Sequence, residues 1–423
     1  MAVSASAKRL TVDSAFNLGA VVVLGVCGLL LHFVIARAYS PEALGVFNQV
    51  FAIYIFLSQL GVWGVNMAVL KVVPEHHDQP RIHDVIVASG LVWVLVTATV
   101  SVGLLLATRD LIAWALASPG VATGLLLVAP GLFCFAVNKV LLNVLNGLQR
   151  MVAFAVFTAL RYLLLLGALL VLVVADAPGD SLALVFSIAE GGLLLGLVAY
   201  VWLACHIRPA LPDRVWLGRI WRFATRSVLG GVMVELNTRV DVLMLGLWAS
   251  DQTVGIYSFA AILVEGLGQL PLAFRRIFDP KLTVSITAGR LDEAERLVRK
   301  SKWLFFGGMA VIGGLTTLIY PHLVTIIAPA RGYEVGWLVF AILAAGVIAQ
   351  SGYVPFSGIL TQGGFPGRNT ILLTLTLVTN LVLNAVLIPL YGMLGAAAAT
   401  ALSYLLFVVY LVAMTRAALG VRL

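Results

Sequence analysis

The chain of 423 residues is short of charge and of cysteine. Charged side chains make up 11% of it, where a soluble domain carries about a quarter. With 61% hydrophobic residues, that shortage excludes both an ordinary soluble enzyme and a disordered chain. Its three cysteines, Cys27, Cys134 and Cys205, stand in apolar stretches. They offer no disulfide framework and no metal-ligand spacing, and they read as small packing residues. Also missing are a Walker sequence, an HExxH motif and a convincing nucleophile set, which removes the usual supports for an enzyme. What the chain has in abundance is long apolar runs. They make it a membrane protein with little mass outside the bilayer.

A spanning helix needs about 20 mostly apolar residues. Twelve segments qualify: 12–37, 42–70, 83–107, 121–148, 151–175, 181–205, 220–248, 252–278, 302–327, 333–361, 367–389 and 392–415. The first is too long for a signal-peptide core and has no cleavage pattern after it, so it is expected to be retained. Between the third and fourth spans, Arg109-Asp110 precedes the apolar piece Leu111–Ala117. That piece is too short to cross and reads as an interfacial helix or a re-entrant turn.

The basic residues orient the spans. Of the 27 Lys and Arg, twenty fall on one side, from Lys8, Arg9 and Lys71 through Arg219, Arg222, Arg275 and Lys302 to Arg416 and Arg422. Only Arg37, Arg109 and Arg331 fall on the other. Lys139, Arg161, Arg226 and Arg239 lie within spans. Both termini are therefore expected in the cytoplasm. The net charge of +8 then reflects orientation, and nucleic-acid binding gains no support from it. The outside loops are all short, which leaves no room for an external catalytic domain. On the inside, 206–219 is polar and contains Pro209 and Pro212, and reads as a linker between a lobe of residues 1–205 and one of 220–423. Residues 285–300 form an amphipathic pattern, with Ile286, Leu291, Ala294, Leu297 and Val298 on one face. Asp292/Arg296 and Glu295/Arg299 are i,i+4 pairs on the other. This pattern predicts a surface helix on the inner leaflet.

The two halves repeat. Ser40-Pro-Glu-Ala-Leu-Gly45-Val-Phe47 aligns with Ser250-Asp-Gln-Thr-Val-Gly255-Ile-Tyr257. The same offset of 210 carries Gln59-Leu60 onto Gln269-Leu270 and Lys71 onto Lys281 without a gap. Six spans per half is an even number, so the repeats are expected to be parallel, about a pseudo-two-fold axis along the membrane normal. The predicted fold is an all-α polytopic membrane protein of about twelve transmembrane helices in two six-helix lobes. Such a plan suits alternating access through a cleft between the lobes.

Three segments resemble a known family. Asn237-Thr-Arg239-Val-Asp241, Val254-Gly-Ile-Tyr-Ser258 and Pro280-Lys281 are similar to the seventh-to-eighth helix region of polysaccharide flippases. Ala36-Arg37-Ala-Tyr-Ser-Pro-Glu-Ala-Leu-Gly45 resembles the end of their first helix. Asn380, Asn384, Ile388-Pro-Leu-Tyr-Gly392 and Gly395-Ala-Ala resemble their eleventh-to-twelfth junction. The likeness is to Wzx-type O-antigen and lipid-linked oligosaccharide flippases of the MOP superfamily, which also holds MATE exporters and lipid II flippases. The latter usually have two additional spans. The resemblance implies a MATE-like fold and translocation of an undecaprenyl-diphosphate-linked oligosaccharide in polysaccharide or lipopolysaccharide biosynthesis. It implies a place in a bacterial inner membrane and, as partners, the polysaccharide polymerase and chain-length proteins.

Ionisable groups inside spans are costly and face a cavity or a partner. In span 4, Lys139, Asn143, Asn146 and Arg150 lie at i, i+4, i+7 and i+11, within about 40° of one another. The stripe reads as a cavity wall offering donors to an anionic headgroup, or as helix–helix hydrogen bonding. Arg161 sits too deep to snorkel easily. It is either paired with Glu190 or free to bind phosphate. In span 7, Arg222, Arg226, Asn237 and Asp241 share one face, and Glu235 and Arg239 form an i,i+4 pair on the other. Arg226 is a further headgroup candidate. Glu265 shares a stripe with Gln269 and Arg276, opposite Gln59 and Asn66 of the repeat-related span 2. Glu265 is the first candidate for coupling to H+ or Na+, with Asp241 and Glu190 behind it; a nearby Arg partner is the competing reading. Arg37, ending span 1, either receives phosphate late in transport or caps carbonyls. His32 reads as a packed histidine. Gln350, Tyr353, Ser357 and Thr361 form a polar face on span 10, which Pro355 is expected to bend. No cofactor is expected. The two functions weighed are a lipid-linked oligosaccharide flippase with a cationic route and a MATE-type cation or drug antiporter. The second needs an acid-rich cleft, for which Glu190, Glu235 and Glu265 are the only material.

Overall fold

A computed structural model describes the backbone of residues 2–76, 78–421 and 423. It describes their side chains apart from residues 2–14, Pro80, 229–231, Val234 and Asn237. The orientation residues Lys8, Arg9 and Arg422, and Asn237 of the seventh span, lie outside the described side chains. Apolar runs in a bilayer must satisfy their own backbone groups, which selects helix. Among the described residues the regular structure is entirely helical. The helices are α1 (Ala2–Ala38), α2 (Pro41–Val62), α3 (Val65–Glu75), α4 (Pro80–Ala115), α5 (Pro119–Gly147), α6 (Met151–Val174) and α7 (Leu184–Leu203). They continue with α8 (Arg214–Gly246), α9 (Asp251–Thr287), α10 (Leu291–Ile327), α11 (Trp337–Ser351), α12 (Ile359–Gln362) and α13 (Pro366–Leu419). Ten helices in the described part are long and apolar enough to cross a membrane. The 54-residue α13 holds the last two predicted spans, and α8, at the place of the seventh, is too polar to count among the ten.

The chain forms two compact units. The first is Met1–Ala38 with Gln49–Glu235, and the second is Tyr39–Asn48 with Leu236–Leu423. These bounds differ from lobes parted by a linker at 206–219. Residues 206–235 are fastened to the first unit. The Arg208 amide donates to Asp84 at 2.9 Å, and Trp93 Nε1 donates to the Leu217 carbonyl at 2.9 Å. The Trp93 ring also stacks on Trp221 at 4.3 Å.

In the first unit α5 is central, packed by α3, α4, α6 and α7, with α1 along α6. Pro130 interrupts the α5 ladder, and Ser187 of α7 enters beside it. Its hydroxyl accepts from the Gly131 amide at 2.9 Å and donates to the Leu127 carbonyl at 2.6 Å. One side chain thus stands in for the helix's own bond between those two groups. The close approach needs a glycine, since a Cβ at Gly131 would come within 2.8 Å of the Ser187 nitrogen.

Several sequence expectations are corrected. Residues 111–117 form neither a separate interfacial helix nor a re-entrant turn. Most of them end the 36-residue helix α4, which turns at Ala117 (φ 48°) into Pro119 at the start of α5. The segment 42–70 is broken at Trp63 and Gly64 (φ 48° and 75°). A Cβ on Gly64 would lie 2.6 Å from the Ala224 carbonyl oxygen, so the joint rests directly on the α8 backbone. The segment 333–361 is also divided, because Pro355 falls in a short 3-10 turn between α11 and α12 instead of bending one helix. Residues 285–300 are not a separate surface helix: α9 ends at Thr287, Gly289 (φ 69°) turns the chain, and the rest opens α10. The apolar face reaches protein rather than lipid. Ala294 and Val298 are fully buried with Leu282, Phe356, Ile359 and Leu411, and Ile286, Leu291 and Leu297 pack on that cluster. On the polar face Arg296 donates to the backbone carbonyl of Asp292.

In the second unit α13 folds back on itself. Gly392 (φ 57°, ψ −131°) breaks the run, and the hydroxyls of Thr379 and Tyr410 meet at 3.0 Å across the fold. A Cβ on Gly395 would collide with the Leu387 carbonyl. The internal repeat is visible as a reciprocal contact in this unit. A Cβ on Gly45 would collide with the Asp251 carbonyl, and one on Gly255 would collide with the Pro41 carbonyl. Residues 41 and 251, like 45 and 255, are related by the offset of 210. Each glycine therefore meets the repeat-mate of its own neighbour, as a two-fold contact requires.

Candidate functional site

The deep polar groups of the first unit converge on Phe135 of α5. The Lys139 ammonium lies 5.5 Å and the Arg161 guanidinium 4.7 Å from the centre of its ring, within cation–π reach. Their other partners differ. Arg161 Nε sits 2.9 Å from Glu190 Oε1, and Glu190 is 2% exposed. Asn138 adds two bonds to Glu190, one to its carboxylate at 2.8 Å and one to its carbonyl at 2.9 Å. Of the two readings of Arg161, the pairing is present as an ion pair; among the described residues neither its Nε nor its Nη2 makes a hydrogen bond. Lys139 donates instead to a neutral amide, Gln59 Oε1, at 3.1 Å. The Gln59 amide nitrogen reaches Glu235 at 3.4 Å. Gln59 thus bridges the Lys139 ammonium and the Glu235 carboxylate.

The stripe on α5 holds only in part. Asn143 spends a donor on the Lys139 carbonyl at 2.8 Å. Asn146 remains partly exposed on the helix. Arg150 falls beyond the end of α5 at Gly147 and leads into α6, so periodicity cannot be extended to it.

Arg226 belongs to a different group. A pocket of about 160 Å³ is lined by Lys71 and Val72 of α3 and by Arg219, Arg222, Phe223 and Arg226 of α8. Arg219 pairs with Glu75 at 2.5 Å and lies over the Trp216 ring. Lys71 lies 4.9 Å over Phe223. Among the described residues Lys71, Arg222 and Arg226 make no ion pair.

In the second unit Arg239 forks onto Glu265 with contacts of 3.1 and 3.3 Å. The competing reading of Glu265, an arginine partner, is therefore the arrangement present, and that arginine is the one assigned in sequence to Glu235. Asp241 accepts from Tyr257 at 2.5 Å and from the Val242 amide at 2.9 Å. Arg37 is exposed in the last turn of α1, where its charge faces the negative end of the helix dipole. His32 is buried with Nδ1 2.9 Å from the Gly28 carbonyl, as a packed histidine would be. The three cysteines are free.

Comparison with known proteins decides the family. The profile of the family called "Polysaccharide biosynthesis protein" matches residues 12–269. The chain belongs to that family. A "Probable flippase AglR" from Haloferax volcanii is 25% identical over 278 residues, which are 64% of this chain and 57% of that protein. The chain thus matches a little over half the length of that relative. The fold is that of MOP superfamily transporters. A lipid II flippase, MurJ, in an inward closed conformation superposes with a TM-score of 0.77 at 14% identity, over 96% of this chain and 87% of that one. An inward-facing multidrug-resistance MATE transporter gives 0.76 at 12% identity, over 93% and 94%. This member of the polysaccharide biosynthesis family is a multi-pass membrane protein with the fold of those transporters.

Sequence reading of this family member missed several contributors. Asn138 is one position from Lys139 and points the other way, so the stripe argument discarded it. Gln59 was noted only as the counterpart of Gln269. Tyr257 was a repeat marker, although its hydroxyl holds Asp241. Of the pocket bases, Arg219 was counted for orientation alone, Lys71 also as a repeat marker, and Arg222 as sharing a face with Arg226, yet Arg219, Arg222 and Arg226 at i, i+3 and i+7 already form one basic stripe.

Proposed function

We propose that the protein is a flippase that moves a polyprenyl-diphosphate-linked oligosaccharide from the cytoplasmic to the outer leaflet. The carrier lipid is undecaprenyl in a bacterial cytoplasmic membrane, with both termini inside, and the cycle is alternating access by the two lobes. A hydrated diphosphate and its sugars must pass about 30 Å of hydrocarbon. Side chains of opposite sign along a wet route can replace the lost water, while the prenyl tail stays in lipid. The observation that carries the reading is the position of Lys139. It is a base within a spanning helix whose hydrogen-bond partner is the neutral Gln59, in a chain of the polysaccharide biosynthesis family.

The acids support the same choice over a cation antiporter. Glu190 is engaged by Arg161 and Asn138, Glu265 by Arg239 and Asp241 by Tyr257. None of the three is available as a bare carboxylate for a cationic substrate. The membrane potential also favours outward movement of an anion. Two negative charges leaving an inside-negative cell gain about 4–5 kcal/mol at 100 mV. Coupling to H+ or Na+ would act through Glu265, by exchanging the Arg239 fork for the ion.

The test compares binding of undecaprenyl-diphosphate oligosaccharide and of a lipophilic cation to the protein in nanodiscs. Saturable binding of the glycan lipid, reduced at least about tenfold in Lys139→Gln by loss of a charged hydrogen bond, is the expected outcome. Saturable binding of the cation with no response to the glycan lipid would reverse the assignment.

A further inference from the structure

We propose that the pocket between α3 and α8 is a capture site for the diphosphate of the lipid-linked substrate, separate from the deep group around Phe135. This inference rests on the flippase reading above and deepens it. Four bases line the pocket, Lys71, Arg219, Arg222 and Arg226, and the facing acid is Glu75, which engages Arg219. The remaining three positive charges match a diphosphate better than the single charge of a phospholipid phosphodiester. Guanidinium groups suit this ligand because their planar donors can grip phosphate oxygens in pairs.

The bases are held in place before any ligand arrives. Trp221, beside Arg222, stacks on Trp93 at 4.3 Å and on Trp63 at 6.3 Å. Trp216 packs against His76 at 5.0 Å and under the Arg219 guanidinium at 5.2 Å. Gly64 seats the start of α3 directly on α8. The first turns of α8 are thereby fixed to α3 and α4, and the distance from Lys71 to the arginines is set by packing. Tryptophans of this kind mark the level of the lipid headgroups. On the orientation given by the basic residues, that level is the cytoplasmic leaflet, where the substrate is made available. Lys71, Arg222 and Arg226 are exposed, so a headgroup can reach them without opening the helices.

The experiment measures binding of undecaprenyl diphosphate to full-length protein in phosphatidylcholine nanodiscs. The variants are Arg222→Gln, Arg226→Gln and the triple Lys71→Gln/Arg222→Gln/Arg226→Gln. Arg290→Gln, which removes an equal charge at an exposed turn of the second unit, is the control. Each single change is expected to weaken binding about tenfold and the triple change more. Arg290→Gln should leave affinity unaltered, and Arg222→Lys should recover part of it. Because the changed side chains are exposed, the single variants remain folded, and size-exclusion profiles check this. Excess phosphatidylglycerol should compete poorly and inorganic pyrophosphate measurably. Equal affinity of the triple variant and the wild type would overturn the capture site while leaving the flippase reading intact. Failure of the wild type to bind undecaprenyl diphosphate would overturn both. Displacement by phosphatidylglycerol as strong as by pyrophosphate would reassign the pocket to ordinary anionic lipid.

Discussion

At the scale of single residues, what distinguishes the embedded bases is the charge of the group each one meets. Arg161 meets Glu190 and Arg239 meets Glu265, whereas Lys139 meets an amide and Arg226 an open pocket. The Arg161–Glu190 pair lies away from solvent, so removing one partner strands the other charge. Glu190→Gln or Arg161→Met alone should lower stability by roughly 3–5 kcal/mol, and the double Arg161→Met/Glu190→Met should recover most of it. Thermal unfolding in detergent, run as a double-mutant cycle, reads this directly; additive losses would show that the pair does not act as a unit. The sequence made this pairing legible, because a deep arginine and a deep glutamate occur in adjacent spans. The bidentate choice of Arg239 was not legible. Helical spacing offers Glu235 at i−4, and the packing of α9 beside α8 adds Glu265.

At the scale of elements, apolar runs located the helices but not their joints. Composition cannot show that Trp63-Gly64 breaks a run, since neither residue interrupts hydropathy and the cause is contact with α8. Arg109-Asp110 misled in the opposite direction. These charges pair with each other at 3.2 Å, Asp110 exposed and Arg109 half-buried, while the helix continues beneath them. Pro355 was visible, but its flanking Gly352 and Gly358 turn a bend into a break. Glycine offers a test with opposite signs. Gly45→Ala and Gly255→Ala each drive a methyl into a carbonyl of the facing helix, so both should lower the unfolding midpoint, and by similar amounts given the reciprocal geometry. Gly25→Ala in α1 meets nothing within 4 Å and should raise stability by about 0.5–1 kcal/mol through helix propensity. A harmless Gly45→Ala would refute the close crossing.

For the whole molecule, the internal repeat and the basic-residue asymmetry were readable from sequence, because both are properties of order along the chain. The assignment of Tyr39–Asn48 to the second unit was not readable. It depends on the start of α2 packing against α9, a contact 210 residues away in sequence. The same long-range pairing explains why the offset of 210 keeps its glycines while most apolar positions drift. A lipid II flippase and a multidrug-resistance transporter share this fold, so the fold by itself does not decide the cargo.

The role proposed for Lys139 and the pocket bases is to carry a diphosphate headgroup across the membrane. Its most direct test is translocation of a fluorescent undecaprenyl-diphosphate oligosaccharide in proteoliposomes, scored by access of an added quencher. The account predicts transfer by the wild type, and a rate about tenfold or more lower for Lys139→Gln at unchanged protein content and unfolding midpoint. Wild-type rates from Lys139→Gln, or no transfer by the wild type under an inside-negative potential, would contradict it.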